Sequence, residues 1–97
     1  MLVVLWTYTV RPGSENAFEA LYAADGDWAV LFRQHGGYID TALLRGADGG
    51  YLTIDRWDSA AAYDAFLDTA RADYAVLDAR GDALTLEEHC LGRFMEP

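Results

Sequence analysis

The order of apolar and polar residues along the chain predicts four strands and two helical regions. Residues 2–10, 38–45, 51–57 and 85–95 are predicted to be strands, because they contain β-branched and aromatic residues in alternating or short apolar runs. Between the first two strands, and again between the last two, apolar residues recur at the three- and four-residue spacing of a helix. The predicted order is therefore β-α-β-β-α-β.

Turn and capping residues set the boundaries of these elements. Ser14 and Ser59 each precede a helical pattern, in the position that an N-capping hydroxyl prefers. The stretch 25–27 contains Gly between two Asp residues and is predicted to break or bend the first helix. The glycine-rich stretch 46–50 predicts a hairpin loop, and Gly81 predicts a break in the second helical region.

This pattern predicts a single domain over residues 1–97 with an α+β, ferredoxin-like fold. The four strands form an antiparallel sheet in the order 4-1-3-2, with both helices on one face. The first strand, however, has apolar residues on both faces: Leu2 and Val4 lie on one, Val3 and Leu5 on the other. Because a chain of this length has no spare element to cover the second face, we expect a homodimeric α+β barrel that forms sheet against sheet.

Composition excludes several classes of function. The net charge of −9 opposes binding to nucleic acid or to an anionic membrane, and no apolar run approaches the roughly 20 residues that span a bilayer. The chain has no Lys, no G-x-G-x-x-G motif and no spacing of His and Cys that suits a metal, so we expect no cofactor and no metal. The single Cys90 and the absence of a secretory leader pattern predict a cytoplasmic protein.

The best cluster of candidate site residues lies where the third strand meets the second helical region. Alternation places Tyr51, Thr53, Asp55 and Trp57 on one face of that strand, and Tyr63 follows on the helix. Such a seam between sheet and helix can enclose a small, mostly apolar or aromatic ligand, with an aromatic wall and a carboxylate whose pKa burial would raise.

The stretch Thr53-Ile-Asp-Arg-Trp-Asp-Ser59 and the closing Leu91-Gly-Arg-Phe94 resemble the antibiotic biosynthesis monooxygenase-like domains of the dimeric α+β barrel superfamily. The resemblance spans nearly the whole chain. It implies a homodimer that binds a small aromatic molecule, and it implies cofactor-independent, quinone-forming monooxygenation if the protein is an enzyme.

The resemblance is incomplete at the residues that carry the reaction. Trp57 and Tyr63 match the aromatic pair of the cofactor-free monooxygenases, but Thr53 stands where that group has Asn. The Arg of that group falls near Leu77 or Asp78 here, and Arg71 and Arg80 lie off that position. Haem-degrading members use an Asn and a His at positions that fall near Trp6 and Leu67 here. A haem-binding protein would need His35 or His89 as its axial ligand, so this reading is the weaker alternative.

The candidate site therefore has two groups of residues. The catalytic candidates are Trp57, Tyr63 and Asp55, and the substrate-binding candidates are Tyr51, Thr53, Trp28, Phe32, His35 and Phe66. Each also has a structural interpretation: the aromatic residues as core, and Asp55 as the cross-strand partner of an Arg. His89 and Glu87 share a face of the last strand, as a proton-transfer pair or as an interface pair. The alternative to an enzyme is a non-catalytic ligand-binding or assembly module of the same fold.

Overall fold

The computed structural model describes all 97 residues and contains four strands and four helices. Each predicted helical region consists of two helices, so the order of element types is the predicted one. The elements are β1 (Leu2–Val10), α1 (Glu15–Tyr22), α2 (Asp27–Phe32), β2 (Tyr38–Arg45), β3 (Tyr51–Trp57), α3 (Ala60–Thr69), α4 (Arg71–Leu84) and β4 (Thr85–Met95).

The strands form one antiparallel sheet in the order β2-β3-β1-β4, as predicted. In the pairing of β1 with β3, Trp6 lies opposite Thr53 and Val4 lies opposite Asp55. In the pairing of β2 with β3, Thr41 lies opposite Asp55, and β4 brings Glu88 opposite Tyr8. Since directly opposed residues share a face of the sheet, this register brings polar side chains of three strands toward the same central region.

The helices begin and end for identifiable reasons, with two departures from the sequence prediction. Ser59 caps α3, because its Oγ accepts a hydrogen bond from the backbone N–H of Ala62, whereas the Ser14 side chain makes no capping bond. The break in the second helical region lies at Ala70, so the break predicted near Gly81 is wrong. Gly81 lies within α4 instead. The residue has no side chain because the Tyr22 hydroxyl occupies the space that a Cβ at this position would need. None of the helices is long and apolar enough to cross a membrane.

The two faces of the sheet have different surroundings. Helices cover the face that carries Leu2, Val4 and Tyr8, and these side chains pack with Phe18 and Trp57 in the core. We call the other face the open face; its apolar residues are half-buried or exposed, and Leu44 is 50% and Phe94 48% exposed. The apolar residues of the open face are Val3, Leu5, Ala42, Leu44, Leu52, Ile54 and Phe94. The fold is therefore ferredoxin-like α+β, with apolar residues on both faces of the sheet.

Candidate active site

A cavity opens between the helix-covered face of the sheet and the helices. Its volume is about 40 Å³, or about 470 Å³ when all the open space at its mouth is included. A cavity needs at least roughly 10–15 Å³ of volume to hold a water, so this cleft is narrow but admits water. The lining residues come from all four strands and all four helices: Trp6, Tyr8, Tyr22, Trp28, Phe32, Thr41, Thr53, Asp55, Tyr63, Tyr74, Asp78 and Glu88.

Asp55 is held in the cavity by a chain of hydroxyl groups. The Tyr38 hydroxyl donates to Thr41 Oγ1 at 2.8 Å, and the Thr41 hydroxyl donates to Asp55 Oδ1 at 2.7 Å. The other carboxylate oxygen of Asp55 has no protein partner. Burial raises the pKa of Asp55 to about 6, although the hydrogen bond from Thr41 opposes this rise. The carboxyl is therefore mostly ionised at pH 7 and accepts a proton more readily than an exposed Asp does.

Three tyrosines line the same cavity as this carboxylate. Burial raises the pKa values of Tyr8, Tyr63 and Tyr74, and that of Tyr74 reaches about 12. All three hydroxyls therefore keep their protons at neutral pH. Tyr8 shares a hydrogen bond of 3.0 Å with Thr53 Oγ1, which occupies its hydroxyl, whereas Tyr63 and Tyr74 make no hydrogen bond to the protein. Tyr63 and Tyr74 are thus free to bond to a ligand.

One end of the cavity is acidic. Asp78 and Glu88 line it, and their carboxylate oxygens lie within 4.8 Å of one another and of those of Asp82. Burial, followed by repulsion from Asp78 and Asp82, raises the pKa of Glu88 to about 6. Burial also raises the pKa of Asp78. This end of the cavity therefore holds carboxylates whose charge is poorly compensated.

Comparison with known proteins defines the family of this chain. The model of the antibiotic biosynthesis monooxygenase family matches residues 1–76. The chain belongs to this family. The fold agrees with solved structures, among them SnoaB, a cofactor-independent oxygenase from Streptomyces nogalater, with a TM-score of 0.79 and 24% identity over 99% of this chain and 92% of that one.

Two further structures show the same fold at lower identity. Rv0793 from Mycobacterium tuberculosis superposes with a TM-score of 0.69 and 20% identity over 98% of this chain and 96% of that one. PA3566 from Pseudomonas aeruginosa superposes with a TM-score of 0.69 and 18% identity over 99% and 93% of the two chains. No curated protein matches the chain. At these identities the likeness shows the fold, and the reaction of this family member has to be argued from its own cavity.

Five of the residues predicted from the sequence line the cavity of this family member. On β3, Thr53 and Asp55 lie side by side on the helix-covered face, and Tyr63 on α3 approaches from the helix side. Trp28 and Phe32 on α2 form an aromatic wall, with ring centroids 5.7 Å apart. The partner of Asp55 is Thr41, and Arg56 pairs with Asp40 on the open face, so the cross-strand Arg partner considered for Asp55 is absent.

The other four predicted residues lie outside the cavity. Trp57 is fully buried behind it, where its indole packs against Tyr63 with centroids 5.5 Å apart, and Phe66 packs against Trp57 in the same core layer. Tyr51 donates its hydroxyl proton to Glu19 at the far end of β3. The His35 ring packs on Phe66, 4.9 Å away. Trp57 and Phe66 thus support Tyr63, whereas Tyr51 and His35 stand apart from it.

Neither histidine is placed to ligate haem in the cavity. His35 is half-buried against Phe66, and His89 lies on β4 with an exposed side chain. His89 Nε2 lies 3.6 Å from Glu87 Oε2, on the side of the sheet that faces away from the helices. This position suits the interface interpretation of the His89–Glu87 pair.

Sequence reasoning missed seven lining residues, and two of them depend on strand register. Trp6 and Tyr8 share a face of β1, which the alternation already indicated. Thr41 reaches the cavity because it lies opposite Asp55, and Glu88 because it lies opposite Tyr8. The sequence does not show which residues lie opposite one another. The remaining three, Tyr22, Tyr74 and Asp78, lie on α1 and α4, and the sequence does not show how these helices pack around the cavity.

Proposed function

We propose that this cavity binds a small aromatic molecule and oxygenates it without a cofactor. The observation that carries the proposal is the Asp55 carboxylate, which lies in an aromatic cavity with its pKa raised to about 6 and one oxygen free. A base with such a pKa suits removal of a proton from an electron-rich phenol or from an activated CH₂ group near neutral pH. The membership of the monooxygenase family supports this reaction class.

The proposed reaction balances without any group beyond O₂ and the substrate. Asp55 accepts a proton from the substrate, and the resulting anion reduces O₂ and combines with it to form a peroxide. Loss of water from the peroxide then leaves a carbonyl, so that R₂CH₂ and O₂ become R₂C=O and H₂O. The substrate supplies the electrons, one oxygen atom enters the product, and the other leaves as water. The protein has to supply the base, the orientation and the exclusion of bulk water.

The lining residues divide this work. The hydroxyls of Tyr63 and Tyr74 donate hydrogen bonds to a substrate oxygen, which stabilises the anion as it forms. Trp28 and Phe32 provide an apolar wall against which an aromatic ring packs. Trp57, the third residue that the sequence indicated as catalytic, acts indirectly by fixing the ring of Tyr63 from behind.

The second candidate function is a non-catalytic ligand-binding or assembly module. Thr53 is the observation that favours it, because its hydroxyl shares a hydrogen bond with Tyr8 and it offers no amide to a substrate. The narrow cleft also requires side-chain movement before a multi-ring molecule can enter. Binding without turnover distinguishes this function from oxygenation.

Oxygen uptake with anthrone-type phenols tests the proposal. The purified protein is expected to consume O₂ and to generate quinone absorbance, and Asp55→Asn is expected to lower the rate by about 10² to 10⁴. Asp25→Asn, the same change at an exposed Asp, serves as the control and should retain full activity. Tight binding without O₂ uptake would refute the oxygenase and support the binding module.

We also propose that two copies form a barrel through their open faces. Several Leu, Ile and Val side chains lie there, and burial of each contributes roughly 1.5–3 kcal/mol. Sedimentation at micromolar concentration should show a dimer, and Leu5→Glu should convert it to a monomer. Val76→Glu, at an exposed position on α4, is the control and should leave the dimer intact. A stable wild-type monomer would refute the barrel.

Surface charge and the free thiol support two smaller proposals. The net charge of −9 makes nucleic acid and anionic membranes poor partners. Cys90 is an exposed, unpaired thiol, a state that a reducing compartment preserves, and we therefore propose a cytoplasmic location. Fractionation of the producing cell, with the protein in the cytoplasmic fraction, checks this location.

A further inference from the structure

The cavity combines three carboxylates with aromatic rings and has no cationic side chain in its lining. Asp55 lies at its β3 side, and Asp78 and Glu88 lie at its acidic end. The pKa values of all three are raised, which shows that their charges are not compensated by the protein. Three such carboxylates would weaken the binding of an anionic ligand by repulsion. They would also weaken the binding of a neutral ligand, because desolvation of the carboxylates costs free energy.

None of the seven arginines lines the cavity. Four of them form ion pairs with acidic residues outside the cavity: Arg56 with Asp40, Arg71 with Asp68, Arg80 with Asp27, and Arg93 with Asp64. Arg93 also lies over the ring of Tyr63, but it is not part of the lining. The carboxylates of the cavity therefore have no cationic partner in the protein, and a cationic ligand could take this place.

One buried polar group of the cavity lacks a hydrogen-bond partner, and Asp55 has one free carboxylate oxygen. Only one oxygen of Asp55 is bonded, to Thr41, and the other has no donor in the protein. The indole N–H of Trp28 is buried and has no acceptor in hydrogen-bond geometry, although the Tyr22 hydroxyl lies near it. Trp28 is only 7% exposed and lines the cavity. A ligand that carries both a donor and an acceptor would satisfy these groups.

The rings of the cavity add to the attraction for a cation. Trp28 packs edge-on to Tyr74 with ring centroids 4.9 Å apart, and the Tyr22 ring lies 6.2 Å from that of Trp28. The faces of such rings carry negative charge and attract ammonium groups that lie over them. Carboxylates and aromatic faces thus favour the same kind of ligand at the same place.

We propose that the ligand of this cavity is a single-ring phenol that carries a protonated amine. The ammonium group lies at the acidic end formed by Asp78 and Glu88, and the phenol lies toward Asp55. The free space is narrow, so side chains have to move for any ring to enter, and a single ring needs the smallest movement. This inference rests on the proposed function of the cavity, and it adds the charge and size of the substrate.

Three phenols of nearly equal shape and different charge test the proposal. Tyramine is a cation at pH 7.5, 4-ethylphenol is neutral, and 3-(4-hydroxyphenyl)propionate is an anion. Isothermal titration at fixed ionic strength should show tyramine binding at least about tenfold more tightly than 4-ethylphenol, because charge-assisted bonds to desolvated carboxylates are strong. The anion should bind most weakly. Equal affinity for the three, no tyramine binding at millimolar concentration, or preference for the anion would overturn the inference.

Variants on β4 show whether the preference arises in the cavity. Glu88→Gln should remove most of the tyramine preference and leave the affinity for 4-ethylphenol nearly unchanged. Glu87→Gln is the matched control, since the neighbouring exposed carboxylate points away from the cavity, and it should keep the preference. Equal effects of the two variants would overturn the inference.

Three outcomes separate this inference from the alternatives. Removal of the tyramine preference by Mg²⁺ at constant ionic strength would assign the carboxylates to a metal ion and overturn it. Tyramine binding with the expected preference but without O₂ uptake would support the ligand class and contradict the oxygenase. O₂ uptake with neutral phenols but without charge preference would support the oxygenase and contradict the proposed ligand class.

Discussion

Replacing Asp55 with Asn is expected to stabilise the fold at neutral pH. Burial raises the pKa of this carboxyl from 3.8 to about 6, so the folded protein holds the proton more tightly than the unfolded chain does. The resulting loss of stability is absent below the unfolded pKa, grows as the pH rises from 3.8 to about 6, and is complete above that pH. Asn keeps the shape and an acceptor for Thr41, and it carries no charge.

The magnitude follows from the two pKa values. A rise from 3.8 to about 6 corresponds to about 3 kcal/mol of stability lost at pH 7.5, at 1.36 kcal/mol for each pKa unit. At pH 4 the loss falls to about 0.5 kcal/mol, because Asp55 is then protonated in the fold and about half protonated in the unfolded chain. The gain from Asp55→Asn should therefore be about 2.5 kcal/mol larger at pH 7.5 than at pH 4. This difference does not depend on how well Asn replaces the hydrogen bond.

Urea unfolding of both proteins at the two pH values, at one protein concentration, measures this difference. Asp25→Asn is the control, since this Asp is exposed, and its effect should be small at both pH values. The reasoning would be refuted if Asp55→Asn stabilised the protein equally at the two pH values, or if it destabilised the protein more at pH 7.5 than at pH 4. Stabilisation together with loss of O₂ uptake would show that the charge is kept for function.

Two further predictions concern the fold. Gly81→Ala should destabilise the protein by about 1–3 kcal/mol, because its Cβ would collide with the Tyr22 hydroxyl, and Tyr22→Phe should restore most of this loss. Urea titration of the double-mutant cycle checks it, and equal losses in both backgrounds would contradict the collision. Ser59→Ala should cost about 1 kcal/mol and Ser14→Ala clearly less, because only Ser59 bonds to the backbone of its helix. Thermal unfolding that shows equal losses for the two serines would contradict this.

The sequence was sufficient for the strands, their order and the face that each side chain takes. Alternation placed Thr53 and Asp55 on one face of β3, and both line the cavity. The same alternation also placed Tyr51 and Trp57 on that face, but the cavity spans only the middle of the strand. Tyr51 bonds to Glu19 beyond one end, and Trp57 fills the core beyond the other. The alternation of side chains along a strand predicts the face on which a residue lies, but not its position along the cavity.

Partners across strands could not be predicted from the sequence. Thr41 orients Asp55 and Glu88 supplies charge, and both reach the cavity only through the register of neighbouring strands. The helix break was misplaced for a similar reason. Gly81 was taken as a helix breaker, whereas the Tyr22 hydroxyl packs against it and requires a residue without a side chain. Tertiary contact, rather than local preference, decided all three positions.

The indole N–H signals of the three tryptophans test the central claim most directly. Trp6 and Trp28 line the cavity, whereas Trp57 is buried behind it. Titration of the ¹⁵N-labelled protein with a phenolic ligand should shift the indole signals of Trp6 and Trp28 strongly and that of Trp57 only slightly. Shifts confined to Trp57, or to residues of the open face, would place the ligand elsewhere and contradict the assignment of this cavity as the functional site.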